Sequence, residues 1–233
     1  MFFFRDVIDP APARRRVDVA FTDGSLDLKE GPGLAARLAP LAAEVGVPLA
    51  RLDQVHGAEV RHLTALPPAQ PDEAPAADAQ VTTLAGVALV VRVADCVPVV
   101  LADPVAGVVA VAHAGRRGVE LDVVGRTVDV MRELGAGAAG QLRAWVGPHI
   151  CGRCYEVPEA MREEVAAVAP ATRSETSWGT PALDLGAGVQ AQLAAADVVV
   201  ERVPGCTLED ERLHSFRRSG AGAGRLAGLV WLS

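Results

Sequence analysis

One cysteine and two histidines in this chain are of types that bind metals or attack carbonyl carbons. They are His56 in Gln54-Val55-His56-Gly57, Cys96 in Ala94-Asp95-Cys96, and His113 in Ala112-His113-Ala114-Gly115. They stand 40 and 17 residues apart, too far for a local finger, so their types carry more than their spacing. One thiolate and two imidazoles suit a zinc ion and leave a fourth position for water or substrate. A water held there has its pKa lowered to about 7, a hydroxide source at neutral pH. Without a metal, the same thiol and imidazole would make a nucleophile and its base. For Cys96 alone, among valines, a buried and inert thiol is the plainer reading.

The stretch that must position two of these groups is 88–118, ALVVRVADCVPVVLADPVAGVVAVAHAGRRG. Its Val-rich runs 97–102 and 108–113 predict an antiparallel hairpin closed by the five-residue turn Asp103-Pro104-Val105-Ala106-Gly107. In that register Ala102 faces Val108 and Val97 faces His113. Cys96 lies one step further out, within roughly 5–8 Å of the imidazole. The competing reading is a free cysteine with two unrelated histidines.

Further groups cluster around this stretch. Arg116 and Arg117, between the His113 strand and a helix, offer guanidinium groups beside free N–H groups and a positive helix end. One of them would serve a phosphate or carboxylate; the bland alternative is a solvated loop. Asp95 could orient a ligand histidine through its far nitrogen, act as acid or base, or merely cap a turn. Cys151-Gly152-Arg153-Cys154 is a C-x-x-C, but Gly147-Pro148 before it and Pro158 after it delay the helix that a redox version needs. With Cys206 it could form a second metal site. No fourth ligand stands out in the sequence, so thiols lining a turn are the simpler reading. Arg217 and Arg218 follow Phe216 ahead of a buried strand, where one could enter a cleft. His62 and His149 read as structural.

Composition bounds the rest. The 233 residues are half hydrophobic with a net charge of -7 and no basic tail or stripe, which disfavours nucleic acid. The N-terminus is too briefly apolar for a signal peptide, and Arg92 and Asp95 interrupt the longest apolar run before it reaches a membrane span. Four cysteines without a secretion signal point to a reducing, cytoplasmic setting. Predicted elements are edge strands in 1–22, a helix over 34–45 that Pro40 splits or kinks, and a strand over 58–63. A proline-rich loop over 66–80 and a strand-like run over 81–95 follow. A helix over 119–134 carries Leu121, Val124, Val128 and Met131 on one face, with Gly135 as its stop. Then come a strand over 142–146, helices over 159–168 and 187–195, and strands over 197–203 and 226–232. The irregular alternation favours a single α+β domain over 1–233 rather than a doubly wound sheet.

The blocks QVHG, ADCVPVVLAD, AVAHAGRRG, GPHICGRCYEV and SFRRSGAGAGRLAGLVWL, in this order, resemble the multicopper polyphenol oxidase (laccase-domain) family from about Leu52 onward. Its members are mostly read as zinc-dependent purine nucleoside phosphorylases with adenosine deaminase activity, and some bacterial members are called peptidoglycan editing factors. The resemblance implies a layered α/β sandwich with mixed, largely antiparallel sheets, a fold type shared with cysteine-dependent deamidases. It implies zinc, or alternatively copper, held by His56, Cys96 and His113. Catalysis then falls to Cys96, His113, Asp95 and Arg117. Binding of substrate or phosphate falls to Arg117, Arg217, Arg218 and Asp78, to which this chain's own residues add Arg116 and Gln54. Substrates would be of the adenosine, inosine and methylthioadenosine class with phosphate, worked on by a monomer or homodimer. Two positions depart from the family pattern: Arg116 replaces a tryptophan, and Asp23 stands where an arginine is expected. Three rivals stay open. One is a cysteine-type hydrolase or peptidoglycan-precursor editing factor built on Cys96 and His113. One is a non-catalytic member. The last is a copper-dependent polyphenol oxidase, which five histidines are too few to support.

Overall fold

Val- and Ala-rich runs without charge need cover on both faces, and this chain supplies it with two stacked sheets and helices outside each. The computed structural model describes residues 1–9, 15–67, 74–138 and 142–233. The strands are β1 (Phe2–Ile8), β2 (Val17–Thr22), β3 (Leu49–Ala50), β4 (Val60–His62), β5 (Ala79–Thr82), β6 (Ala88–Val93) and β7 (Val97–Asp103). They continue as β8 (Val108–Ala114), β9 (Arg143–Val146), β10 (Arg173–Glu175), β11 (Pro181–Leu183), β12 (Val199–Arg202) and β13 (Leu226–Leu232). The helices are α1 (Leu34–Val45), α2 (Arg116–Glu120), α3 (Val123–Glu133), α4 (Glu159–Val168), α5 (Leu185–Ala195) and α6 (Phe216–Ser219).

The two large sheets run β1-β2-β13-β6-β3 and β12-β9-β7-β8-β5-β4, and β10 and β11 form a separate antiparallel pair. Most pairs are antiparallel; β3 with β6, β4 with β5, and β9 with β12 are parallel. Between the sheets, Val19, Phe21, Val91 and Val230 meet Val100, Val109, Val111 and Trp145. The far side of β7 and β8 packs through Val99, Leu101, Ala110 and Ala112 on Val124, Val128 and Met131 of α3 and Val189 of α5. Leu34, Leu38 and Leu41 of α1 cover the outer side of the first sheet. The result is the expected α+β sandwich with mixed, largely antiparallel sheets. Among the described residues, no helix is long and apolar enough to cross a membrane.

The hairpin at the centre differs from expectation by one residue. Asp103 pairs with Val108, so the loop is 104–107, Pro98 faces His113 and Val97 faces Ala114. Asp103 stays in the strand because its carboxylate closes the turn. Oδ1 accepts the N–H groups of Val105 and Ala106, each at 2.9 Å, and Oδ2 accepts that of Gly137 at 2.7 Å. Strand alternation makes the shift matter, since one step exchanges the two faces. The expected register would have sent Cys96 and His113 to opposite faces. In the observed one Cys96 lies two residues before Pro98, the partner of His113, and both turn toward the other sheet.

The predicted helix over 119–134 is two helices. Asp122 adopts φ 55° and caps α3 by accepting the Gly125 N–H at 3.1 Å, which turns Leu121 outward to 38% exposure. Pro40 sits within α1 without breaking it. The run 81–95 divides into β5, which already begins at Ala79, and β6. Of the predicted loop 66–80, residues 68–73 lie outside the described residues. The expected bounds of α4 and β13 match those observed.

Candidate active site

Cys96 sits in the bend 94–96, where the chain leaves β6 of one sheet and enters β7 of the other. The preceding Asp95 adopts φ 84°, a left-handed conformation costly for a residue with a Cβ, so the bend needs external support. Its carbonyl accepts the Ile150 N–H at 3.0 Å. Its carboxylate accepts the Thr207 hydroxyl at 2.6 Å and the Arg217 backbone N–H at 2.6 Å. His113 ends β8. His56 lies in the loop between β3 and β4, also left-handed at φ 59°.

Asp78, fully buried, joins these two histidines. Its Oδ1 accepts from His113 Nδ1 at 2.7 Å and from the His56 N–H at 3.0 Å; its Oδ2 accepts the Gly57 N–H at 2.6 Å. This fixes the His113 tautomer with Nδ1 protonated and Nε2 free as a ligand atom. Burial acts to raise the Asp78 pKa, but the hydrogen bond from His113 and those from the two N–H groups hold it below the usual carboxylate value.

The ligand atoms of His56, Cys96 and His113 all lie within 4.8 Å of one another. Cys96 Sγ is 3.9 Å from His56 Nε2, and the two imidazole rings meet edge to face at 4.8 Å. Metal–ligand distances of a zinc tetrahedron put its corners about 3.4–3.6 Å apart, so a small contraction closes the set. Backbone room exists because residue 115 is glycine: a Cβ there would lie 2.9 Å from His56 and 3.2 Å from the Cys96 sulfur. The donor set therefore fits zinc, and its soft thiolate and imidazoles are acceptable to copper as well. Without a metal, burial acts to raise the Cys96 thiol, but the facing His113 charge and hydrogen bonds from both histidines outweigh it and bring it down to about 6. Burial likewise acts to lower His113, but Cys96 and Asp78 carry it up to about 9. The metal-free site is thus a thiolate facing an imidazolium, and the thiolate is the form that ligates metal.

These groups line a cavity of about 660 Å³. Buried His113 marks its base; exposed Phe216 and Arg217 mark its rim. The Arg217 guanidinium lies 5.1 Å from the centre of the Tyr155 ring, and that of Arg225 6.0 Å from the centre of Phe216. Burial raises the Tyr155 hydroxyl pKa, with the Cys96 charge adding to it. Arg92, nearly buried and paired with Glu30, contributes a third cation to the lining.

The structure gathers His56, Cys96, His113, Asp95, Gln54 and Arg217 on this cavity. Gln54 spends its amide on the Arg92 backbone, donating at 2.7 Å and accepting at 2.8 Å. Four expected binding residues lie elsewhere. Asp78 sits behind the ligands with both oxygens engaged. Arg116 pairs with Glu120 at 2.7 Å, and Arg117 is exposed; neither borders the cavity, although the Arg116 charge reaches Tyr155 on its lining. The Arg218 guanidinium is consumed by the carbonyls of Thr207 at 2.7 Å, Leu208 at 3.0 Å and Leu213, which staples 207–213 to α6. Asp23 holds the N-terminal amine at 2.9 Å, away from the cavity. His149 is structural as expected, buried with Nδ1 2.7 Å from the Gly147 carbonyl. Tyr155, Arg92 and Arg225 are among the lining residues that the sequence did not single out as part of the site. Their signals were slight: the chain's one tyrosine directly follows C-x-x-C, and Arg225 immediately precedes β13.

Residues 33–233 match the family model described as multi-copper polyphenol oxidoreductase laccase. A purine nucleoside phosphorylase of Streptomyces griseus is 53% identical over 182 residues, covering 78% of this chain and 73% of that protein. One of Streptomyces coelicolor is 51% identical over 208 residues, covering 87% and 84%. A solved structure of a Neisseria meningitidis protein matches with a TM-score of 0.78 at 29% identity, covering 98% of this chain and 99% of that one.

Proposed function

The chain belongs to the multi-copper polyphenol oxidoreductase laccase family, and on that premise we propose that it is a zinc-dependent purine nucleoside phosphorylase that also deaminates adenosine. The observation that carries this is the convergence of His56, Cys96 and His113 on the lining of a cavity that also carries arginines and aromatic rings. Relatives named purine nucleoside phosphorylase, identical at half of the aligned positions, support it. Residues 1–233 act as one cytoplasmic domain on small molecules, and the four free cysteines suit a reducing compartment.

Phosphorolysis breaks the bond between ribose C1′ and the purine nitrogen, joins C1′ to a phosphate oxygen, and leaves the base with the bonding pair and a proton. Zinc bound at the base would supply a fixed positive charge and Lewis acidity there. Arg217 holds the phosphate through paired N–H donors, and Arg225, whose Nη1 is engaged by the Ala223 and Gly224 carbonyls at 3.0 Å each, adds its remaining N–H groups. The faces of Tyr155 and Phe216 offer stacking surfaces for the purine. Asp95 places Arg217 by gripping its backbone N–H, and Asp78 holds both histidines in place. In deamination, the oxygen of water bonds to the purine carbon that carries the amino group, the bond from that carbon to the amino nitrogen breaks, and ammonia leaves with a proton from the water while the bond to ribose stays intact.

A second reading has one specific observation behind it. The metal-free thiolate–imidazolium pair is the arrangement of a cysteine hydrolase. One experiment separates the two. Metal-free and zinc-loaded protein are incubated with adenosine, inosine and methylthioadenosine, with and without phosphate, and products are resolved by chromatography. We expect free base and ribose 1-phosphate only with zinc and phosphate, and inosine from adenosine with zinc alone. Arg217→Ala and Arg225→Ala should each raise the KM for phosphate about tenfold or more, the worth of a lost charge-assisted hydrogen bond. Full turnover in chelator that is abolished by alkylating Cys96 would replace this reading with the hydrolase.

A further inference from the structure

A second group of soft ligands lies apart from the cavity. The side-chain ligand atoms of Cys151, Cys154, Cys206 and Glu209 all fall within 4.8 Å of one another, and none of the four residues lines the cavity. The fourth ligand that the sequence did not reveal is thus a carboxylate, three residues beyond the third cysteine.

Two turns of the same build produce the group. In Cys151-Gly152-Arg153-Cys154 the Cys154 N–H donates to the Cys151 carbonyl at 2.9 Å, which brings the first and fourth side chains together. In Cys206-Thr207-Leu208-Glu209 the Glu209 N–H donates to the Cys206 carbonyl at 3.2 Å with the same effect. The turns lie side by side because His149 and Cys206 form an isolated parallel bridge, with the Thr207 N–H on the His149 carbonyl at 3.0 Å. The Cys151 N–H then points at the Cys206 sulfur at 3.4 Å, the kind of outer hydrogen bond that supports a metal-bound thiolate. Two x-x-spaced ligand pairs on adjacent turns are the pattern of closed, four-coordinate zinc sites, with one thiolate here replaced by a carboxylate.

We propose that Cys151, Cys154, Cys206 and Glu209 form a second, structural zinc site. Three thiols lose their protons to solvent when the ion enters, and the Glu209 carboxylate fills the fourth corner. Glu209 is exposed, which gives the ion a path from solvent, while Cys154 is buried. All four corners are taken, so the ion is structural rather than catalytic. What it braces is the cavity wall. Ile150 and Tyr155, which flank the first turn, line the cavity, and Thr207, inside the second, holds Asp95 at 2.6 Å.

The test is metal stoichiometry on the full chain, purified reduced, saturated with zinc and desalted. We expect two zinc ions per chain. The His56→Ala/His113→Ala variant should keep one, and Cys206→Ser in that background should keep none. If Cys206→Ser does not fold, Glu209→Ala, on an exposed side chain, should weaken the remaining ion at least about tenfold against a competing chelator. Cobalt bound to the His56→Ala/His113→Ala variant should show intense thiolate-to-metal absorption, and a thiol reagent should reach Cys151, Cys154 and Cys206 only after chelation. One zinc in the parent protein with none in the double-histidine variant would overturn the proposal. So would a Cys151–Cys154 disulfide mapped in the reduced protein.

Discussion

Asp78 governs the site without touching the cavity. Three donors, one side chain and two backbone N–H groups, meet on one buried carboxylate, and they fix both the tautomer of His113 and the left-handed backbone of His56. Replacing it with asparagine puts an N–H₂ against at least one of these donors. Asp78→Asn should lower zinc affinity about 10–100-fold while the fold persists, read by chelator competition with circular dichroism as control. A second prediction concerns protons. With the Cys96 pKa lowered to about 6, the thiolate predominates above that pH and is lost below it. Alkylation of Cys96 in metal-free protein should therefore rise with pH through a midpoint near about 6, and His113→Ala should move the midpoint up toward the free-thiol value of about 8.5. A midpoint that ignores His113 would disprove the ion pair. At this scale the gathering of the three candidate ligands was legible, because a thiol and imidazoles announce themselves by type. Orienting a histidine was one of the roles left open for Asp95, but Asp78 is the one that does so. Adjacency to Cys96 favoured the first, whereas the actual contact depends on β5 and β8 pairing across 35 residues.

Elements decide whether the ligands meet. Gly115 adopts φ -75° and ψ 175°, open to any residue, so alanine there costs no backbone strain. Its Cβ would instead press on His56 and Cys96 at 2.9 and 3.2 Å. Gly115→Ala should thus abolish stoichiometric zinc at this site while changing the melting temperature of metal-free protein by less than about 4 °C, the shift that about 1 kcal/mol makes in a domain of this size. Loss of fold together with metal would show that the glycine serves packing instead. Helix α4 and strand β13 were legible end to end because their apolar spacing is regular and their flanks are plain. The β7–β8 register was not. The side chain of Asp103 holds its own residue in the strand and shortens the loop by one. Likewise α2 and α3 read as one helix until Asp122 turned left-handed between them. Both errors sit at aspartates whose side chains bond to nearby backbone, a choice that periodicity does not record.

Across the whole molecule, the site draws on segments far apart in the chain and on both sheets. An ion that binds only the assembled protein stabilises it by mass action, about 4 kcal/mol when free zinc is a thousandfold above its Kd. Zinc-loaded protein should melt well above metal-free protein, and the difference should shrink once His113→Ala removes one ligand. An unchanged melting temperature on chelation would show that the ligands do not close on an ion. The layered fold itself was legible from the density of apolar runs. The stacking order was not, since it depends on which strand crosses to which sheet. That crossing has a mechanical outcome. Cys96 rides on the linkage between the two slabs, while His113 belongs wholly to one of them. Any shear of slab over slab changes the gap between sulfur and imidazole before it disrupts either sheet. A metal held by His56, Cys96 and His113 would thus be a strain gauge for the seam, registering a slip that the helices outside would not yet feel.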